Sequence, residues 1–89
     1  MSDGAVTAEY LRGFPFHKPP LGKRGYSEKA VLDFVALCAR RLDGRGHLTA
    51  DDVRGVRFNK PPFGKRGYDD AQVDALLDEI ATAIAELDA

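Results

Sequence analysis

The residues of this chain best suited to chemistry are two pairs of adjacent cations, Lys23-Arg24 and Lys65-Arg66, and both stand in the same phrase. Lys18-Pro19-Pro20-Leu21-Gly22-Lys23-Arg24-Gly25-Tyr26 recurs 42 residues later as Lys60-Pro61-Pro62-Phe63-Gly64-Lys65-Arg66-Gly67-Tyr68, with Leu21 against Phe63 as the sole difference. Cations beside one large apolar residue on a Pro/Gly loop suit contact: the charges attract an anionic surface, and the apolar side chain gains by leaving water. They do not suit catalysis. The G-x-x-x-x-G-K-[ST] frame of a phosphate-binding loop is missing, and no nucleophile stands in a signature with a His and a carboxylate. His17 and His47 lie apart with no second ligand at zinc spacing. Cys38, the single cysteine, excludes a disulfide within the chain, and its place on an apolar seam reads as inert packing. The chain is therefore expected to be non-enzymatic and to carry no metal or cofactor.

These loops must be positioned by elements that the repeat also delimits. The match extends upstream through Thr7/Thr49, Ala8/Ala50, Arg12/Arg54, Gly13/Gly55 and Phe16/Phe58, and downstream through Val31/Val73 and Ala39/Ala81. A repeat this long is one structural unit used twice. Unit 1 is read over residues 5–43, a glycine-rich hinge over 44–47 and unit 2 over 48–88. A unit of this size, near the ~40 residues below which a chain rarely folds alone, needs a partner to bury a core. The expected fold is all-α: two tandem units, each a short helix, a Pro-Gly loop and a long helix. They pair as a small bundle or short coiled coil, either as a pseudo-dimer within one chain or as a homodimer.

Local signals mark the helices. Thr7 and Thr49 suit N-caps, and Gly13 and Gly55 supply the stops, which leaves each short helix little more than a turn. Ser27 and Asp69 suit N-caps of the long helices. Tyr26 and Tyr68, one residue before, can staple onto Val31 and Val73, and Asp69 with Gln72 makes a D-x-x-Q capping box. Helix-pairing positions follow at 3-4 spacing: Val31, Phe34, Val35, Cys38 and Leu42 in the first, and Val73, Leu76, Leu77, Ile80, Ile84 and Leu87 in the second.

Charge is uneven: residues 1–46 carry eight Lys/Arg and five Asp/Glu, a net +3, while residues 47–89 carry five and nine, a net −4. This disfavours nucleic acid as partner and favours pairing between the units or docking of a basic partner on the second one. Asp69, Asp70, Asp74 and Asp78 offer an acidic docking face. No apolar run approaches a membrane span, and the N-terminal stretch 1–5 has no leader pattern. The expected location is cytoplasmic.

Three stretches together resemble a known family: Leu48-Thr49-Ala50-Asp51-Asp52-Val53, then Phe58-Asn59 running through the repeated phrase to Asp69-Asp70, then Val73-Asp74-Ala75-Leu76-Leu77-Asp78. They are similar to the N-terminal domain of DivIVA, the bacterial cell-division and polar-growth scaffolds, in its actinobacterial form. Unit 1 is similar through Tyr26 and departs in its helix. The resemblance implies two helices pairing in parallel, with loops that cross at one end and offer an apolar residue and a basic neighbour to the inner face of the membrane. By position these are Leu21 with Lys23 and Arg24, and Phe63 with Lys65 and Arg66. It also implies a membrane-proximal recruiting role at the septum or pole. The alternative is an adaptor that pairs with a full-length DivIVA-type scaffold, or with another division or envelope-synthesis protein through a basic tail, without touching lipid.

Overall fold

Thr7 and Thr49 start the short helices as their types predict. The computed structural model describes residues 6–89, so the first residue of unit 1 and the stretch 1–5 lie outside the described residues. The Thr7 hydroxyl accepts from the Tyr10 amide at 3.1 Å and opens α1, Ala8–Arg12. Thr49 opens α3, Ala50–Gly55, through a reciprocal capping box: its hydroxyl accepts from the Asp52 amide at 3.1 Å while the Asp52 carboxylate accepts from the Thr49 amide at 3.0 Å. The long helices are α2, Glu28–Leu42, capped by Ser27 from the Ala30 amide, and α4, Asp70–Leu87. The expected Asp69/Gln72 box does not form, because Asp69 makes no side-chain cap bond. Gln72 reaches into unit 1 instead: its Oε1 accepts from the His17 amide at 2.7 Å and its Nε2 donates to the Pro15 carbonyl at 3.2 Å.

No strand forms among the described residues, and the all-α expectation holds. α1 packs on α2, α3 packs on α4, and α2 packs on α4. The Tyr26 hydroxyl meets Asp74 near the start of the long pair and the Arg41 guanidinium meets Asp88 at its end, so α2 and α4 run parallel. Their facing stripes make the core: Val31, Val35, Cys38 and Ala39 against Val73, Leu76, Leu77, Ile80, Ala81 and Ile84, with Leu11 and Val53 inserted from the short helices. Val31, Val73, Ile80 and Ile84 are wholly buried, each worth roughly 1.5–3 kcal/mol relative to exposure.

Leu87 corrects the expected seam, since it remains 57% exposed. α2 ends at Leu42, the repeat equivalent of Ile84, so nothing on the first helix stands opposite the last turn of α4. Phe34 and Leu42 are half-buried at the margin. Beyond Leu42 the hinge closes the helix: the Gly44 amide donates to the Arg41 carbonyl at 3.0 Å and the Arg45 amide to the Arg40 carbonyl at 2.9 Å. This is a Schellman turn, and it needs the left-handed φ of +86° that Gly44 supplies.

Candidate functional site: two crossed loops and their apolar tips

Each copy of the repeated phrase has two parts with different work. Residues 24–26 and 66–68 form a joint between the units. The Tyr26 and Tyr68 amides and carbonyls exchange hydrogen bonds at 2.9 Å as an isolated antiparallel bridge. Outside it, the Ser27 amide donates to the Asn59 carbonyl at 2.9 Å and the Asp69 amide to the His17 carbonyl at 2.8 Å. Both donors and both acceptors are repeat equivalents, so the units interlock under an approximate two-fold relation. The same relation governs the arginines: Arg24 donates to the Pro61 carbonyl and Arg66 to the Pro19 carbonyl. It governs the rings as well, for Phe16 stacks on Tyr68 at 4.6 Å between centroids and Phe58 packs on Tyr26 at 5.2 Å. The two tyrosines thus pair across the unit boundary.

Backbones approach so closely here that only glycine fits. A Cβ on Gly25 would lie 1.7 Å from the Tyr68 carbonyl oxygen, and one on Gly67 would lie 2.3 Å from that of Tyr26. Gly67 also has a φ of +76°, which side chains rarely adopt. Pro19 and Pro61 are buried beneath the arginines.

The second part of each phrase is a turn that faces water. The Lys23 amide donates to the Pro20 carbonyl and the Lys65 amide to the Pro62 carbonyl, both at 3.0 Å. Gly22 and Gly64, with φ of +82° and +85°, hold the third position of a type II turn. Leu21 and Phe63 therefore occupy the outer corners, 87% and 101% exposed. Both turns lead into the joint at the start of α2 and α4, so both tips are carried on the same end of the helix pair. Lys23 and Lys65 are exposed beside them, while Lys18 pairs with Glu28. Arg24 and Arg66 are placed differently from the expectation: each commits a guanidinium nitrogen to the opposite loop, leaving the lysines as the freer cations at the tips.

The four aspartates differ in their settings. Asp69 is half-buried at the start of α4, and Asp70 is exposed. Asp74 accepts from the Tyr26 hydroxyl at 2.8 Å; burial first, and then this bond and the carboxylate charge, push the Tyr26 phenol up to about 12. Asp74 and Asp78 line a groove of about 400 Å³ between α3 and α4, together with Arg54 and Arg57, which dilute its negative charge. Cys38 is fully buried, and burial pushes its thiol up to about 12. Among the described residues no three His, Cys, Asp or Glu converge as a metal site, and no helix is long and apolar enough to cross a membrane.

Sequence reasoning gave no role to Phe16 and Phe58, although their retention at 42-residue spacing was the available signal. Gln72 had no such signal, because its repeat equivalent is Ala30. Compared with family models, curated proteins and solved structures, the chain matches none.

Proposed function

We propose that this chain is a binding module, not an enzyme, that sits at the inner face of an anionic bacterial membrane and recruits or positions proteins of division or polar growth there. The observation that carries the reading is the outward placement of Leu21 and Phe63 on two turns joined at one end. A large side chain left at a turn corner costs solvation in the isolated molecule and gains roughly 1.5–3 kcal/mol on burial. Lys23 and Lys65 add about 1 kcal/mol each near an anionic leaflet. One loop alone would bind weakly and reversibly. Two loops on one rigid joint act together, because the first contact holds the second tip at high effective concentration.

Co-sedimentation with anionic and neutral vesicles tests this. Wild type is expected to pellet with anionic vesicles, less so at high salt, and Leu21→Ser, Phe63→Ser is expected to stay in the supernatant with unchanged helical circular dichroism. A wild type that ignores both vesicle types sinks the membrane reading. It would leave the adaptor reading, in which the same tips or helix faces meet a DivIVA-type scaffold or a partner's basic tail. The tail version has less in its favour, since Arg54 and Arg57 share the groove with Asp74 and Asp78.

A further inference from the structure

The uneven charge of the two units is not consumed inside the molecule. Of the five ion pairs among the described residues, Arg41–Asp88 is the one that links the units; Arg12–Asp43, Lys18–Glu28, Lys29–Asp33 and Arg45–Asp43 all fall within the first half. Asp70, Asp78 and Glu79 take no ion-pair partner among the described residues, and all three are exposed.

The repeat supplies an internal control for what the outer helix faces need. At three equivalent exposed positions α2 carries Leu32, Ala36 and Leu37 where α4 carries Asp74, Asp78 and Glu79. Acidic residues are thus compatible with the fold at these positions, yet α2 leaves Leu32 48% and Leu37 52% exposed. Leu32 and Ala36 also line a groove of about 350 Å³ between α1 and α2, the repeat equivalent of the α3–α4 groove, with Arg12 and Arg40 on its rim. Arg12 is held by Asp43 at 2.7 Å, while Arg40 has no ion-pair partner among the described residues. One face of the molecule therefore carries Leu32 and Leu37 with Arg40 and the Lys29–Asp33 pair between them, and the equivalent face of α4 on the opposite side carries Asp70, Asp78 and Glu79 with the small side chains of Ala71 and Ala75 among them, Arg54 and Arg57 standing along its groove.

We propose that the outer face of α2 in one molecule binds the outer face of α4 in a second copy, so that molecules add head to tail. The match of charge selects this occupant. Two α2 faces meeting in parallel would bring Arg40 against Arg40, and two α4 faces would bring carboxylates together, whereas α2 against α4 sets Arg40, which is free of any ion pair among the described residues, toward the carboxylates of α4. Because the two faces lie on opposite sides of an approximate two-fold, each addition leaves an unsatisfied face at both ends, and the contact does not close as a symmetric dimer does. With helices aligned in parallel along the row, every pair of loop tips points the same way. The proposal stands apart from lipid binding and is tested without lipid.

Sedimentation velocity of the purified protein across a micromolar to millimolar range, at low and high salt, is the first measurement. The average mass of wild type is expected to rise past the dimer with concentration and to fall back at high salt. Two variants block one face each: Leu32→Asp, Ala36→Asp, which copies the residues unit 2 carries, and Asp78→Asn, Glu79→Gln, which removes the carboxylates without giving the two blocked faces opposite charges. All four positions are exposed, and circular dichroism checks the fold. Each variant alone is expected to be monomeric, and their equimolar mixture is expected to form a 1:1 pair of doubled mass that grows no further. A wild type monomeric at every concentration overturns the proposal. So does an assembly that survives either double substitution, or a mixture that fails to pair.

Discussion

Tyr26 joins three kinds of interaction in one side chain: its backbone makes the bridge to Tyr68, its ring packs on Phe58 and its hydroxyl donates to Asp74. The hydroxyl bond to a carboxylate links stability to alkaline pH in a definite direction. The folded phenol titrates near 12 against an ordinary value of 10.0. A group whose folded value is raised contributes stability that is whole below its unfolded value and is lost as pH rises through the folded one. Between about pH 10 and 12 the urea midpoint of wild type is therefore expected to fall. Part of the loss belongs to Cys38, whose buried thiol moves from 9.0 to about 12 and adds a decline that starts nearer pH 9. Tyr26→Phe should cost roughly 0.5–1.5 kcal/mol at neutral pH through the missing bond. The midpoint of this variant should then decline less steeply above pH 10, and an unchanged slope would remove Tyr26 from the account.

The helices were legible to different depths, and the reasons are physical. Thr7, Thr49 and Ser27 announced their caps because a side-chain oxygen before an apolar-periodic run has one local use. Ile80 and Ile84 announced the seam by spacing. Leu87 has the same spacing and is exposed, because its fate depends on where α2 stops, which is a tertiary fact. The two positions make a direct comparison at this scale. Ile80→Ala should cost about 2–5 kcal/mol in chemical denaturation, as a large side chain leaves a filled core, whereas Leu87→Ala should stay within about 0.5 kcal/mol. Equal losses at both positions would mean that the last turn of α4 is covered. The site was legible in halves. The tips Leu21 and Phe63 stood out as apolar residues among prolines and glycines. The commitment of Arg24 and Arg66 to opposite carbonyls was not readable, because a local sequence cannot say which loop it will cross.

For the molecule as a whole, neither unit is complete without the other. Its inner helix face, its bridge residues and its proline carbonyls all find their partners across the boundary. Peptides spanning residues 1–46 and 47–89 are each expected to show little helical circular dichroism alone, as chains near the ~40-residue limit of independent folding. Mixed in equal amounts, they should regain it with a concentration-dependent melting temperature. Strong helicity in either half alone would show that the pairing is an addition to the fold and not its condition.

The offset between joined residues also governs how the chain reaches its structure. The bridge pairs positions 42 apart and the arginine–proline bonds lie 37 and 47 apart, so the joint consists of distant contacts, which are slow to close. While the protein is being synthesised, unit 1 leaves the ribosome with half a joint and must wait for unit 2. During that wait the unit 2 of a neighbouring nascent chain fits equally well, and mispairing between chains competes with folding within one. The short Schellman-closed hinge shifts this competition, since it returns the chain at once toward its own first half and makes the correct partner the most concentrated one.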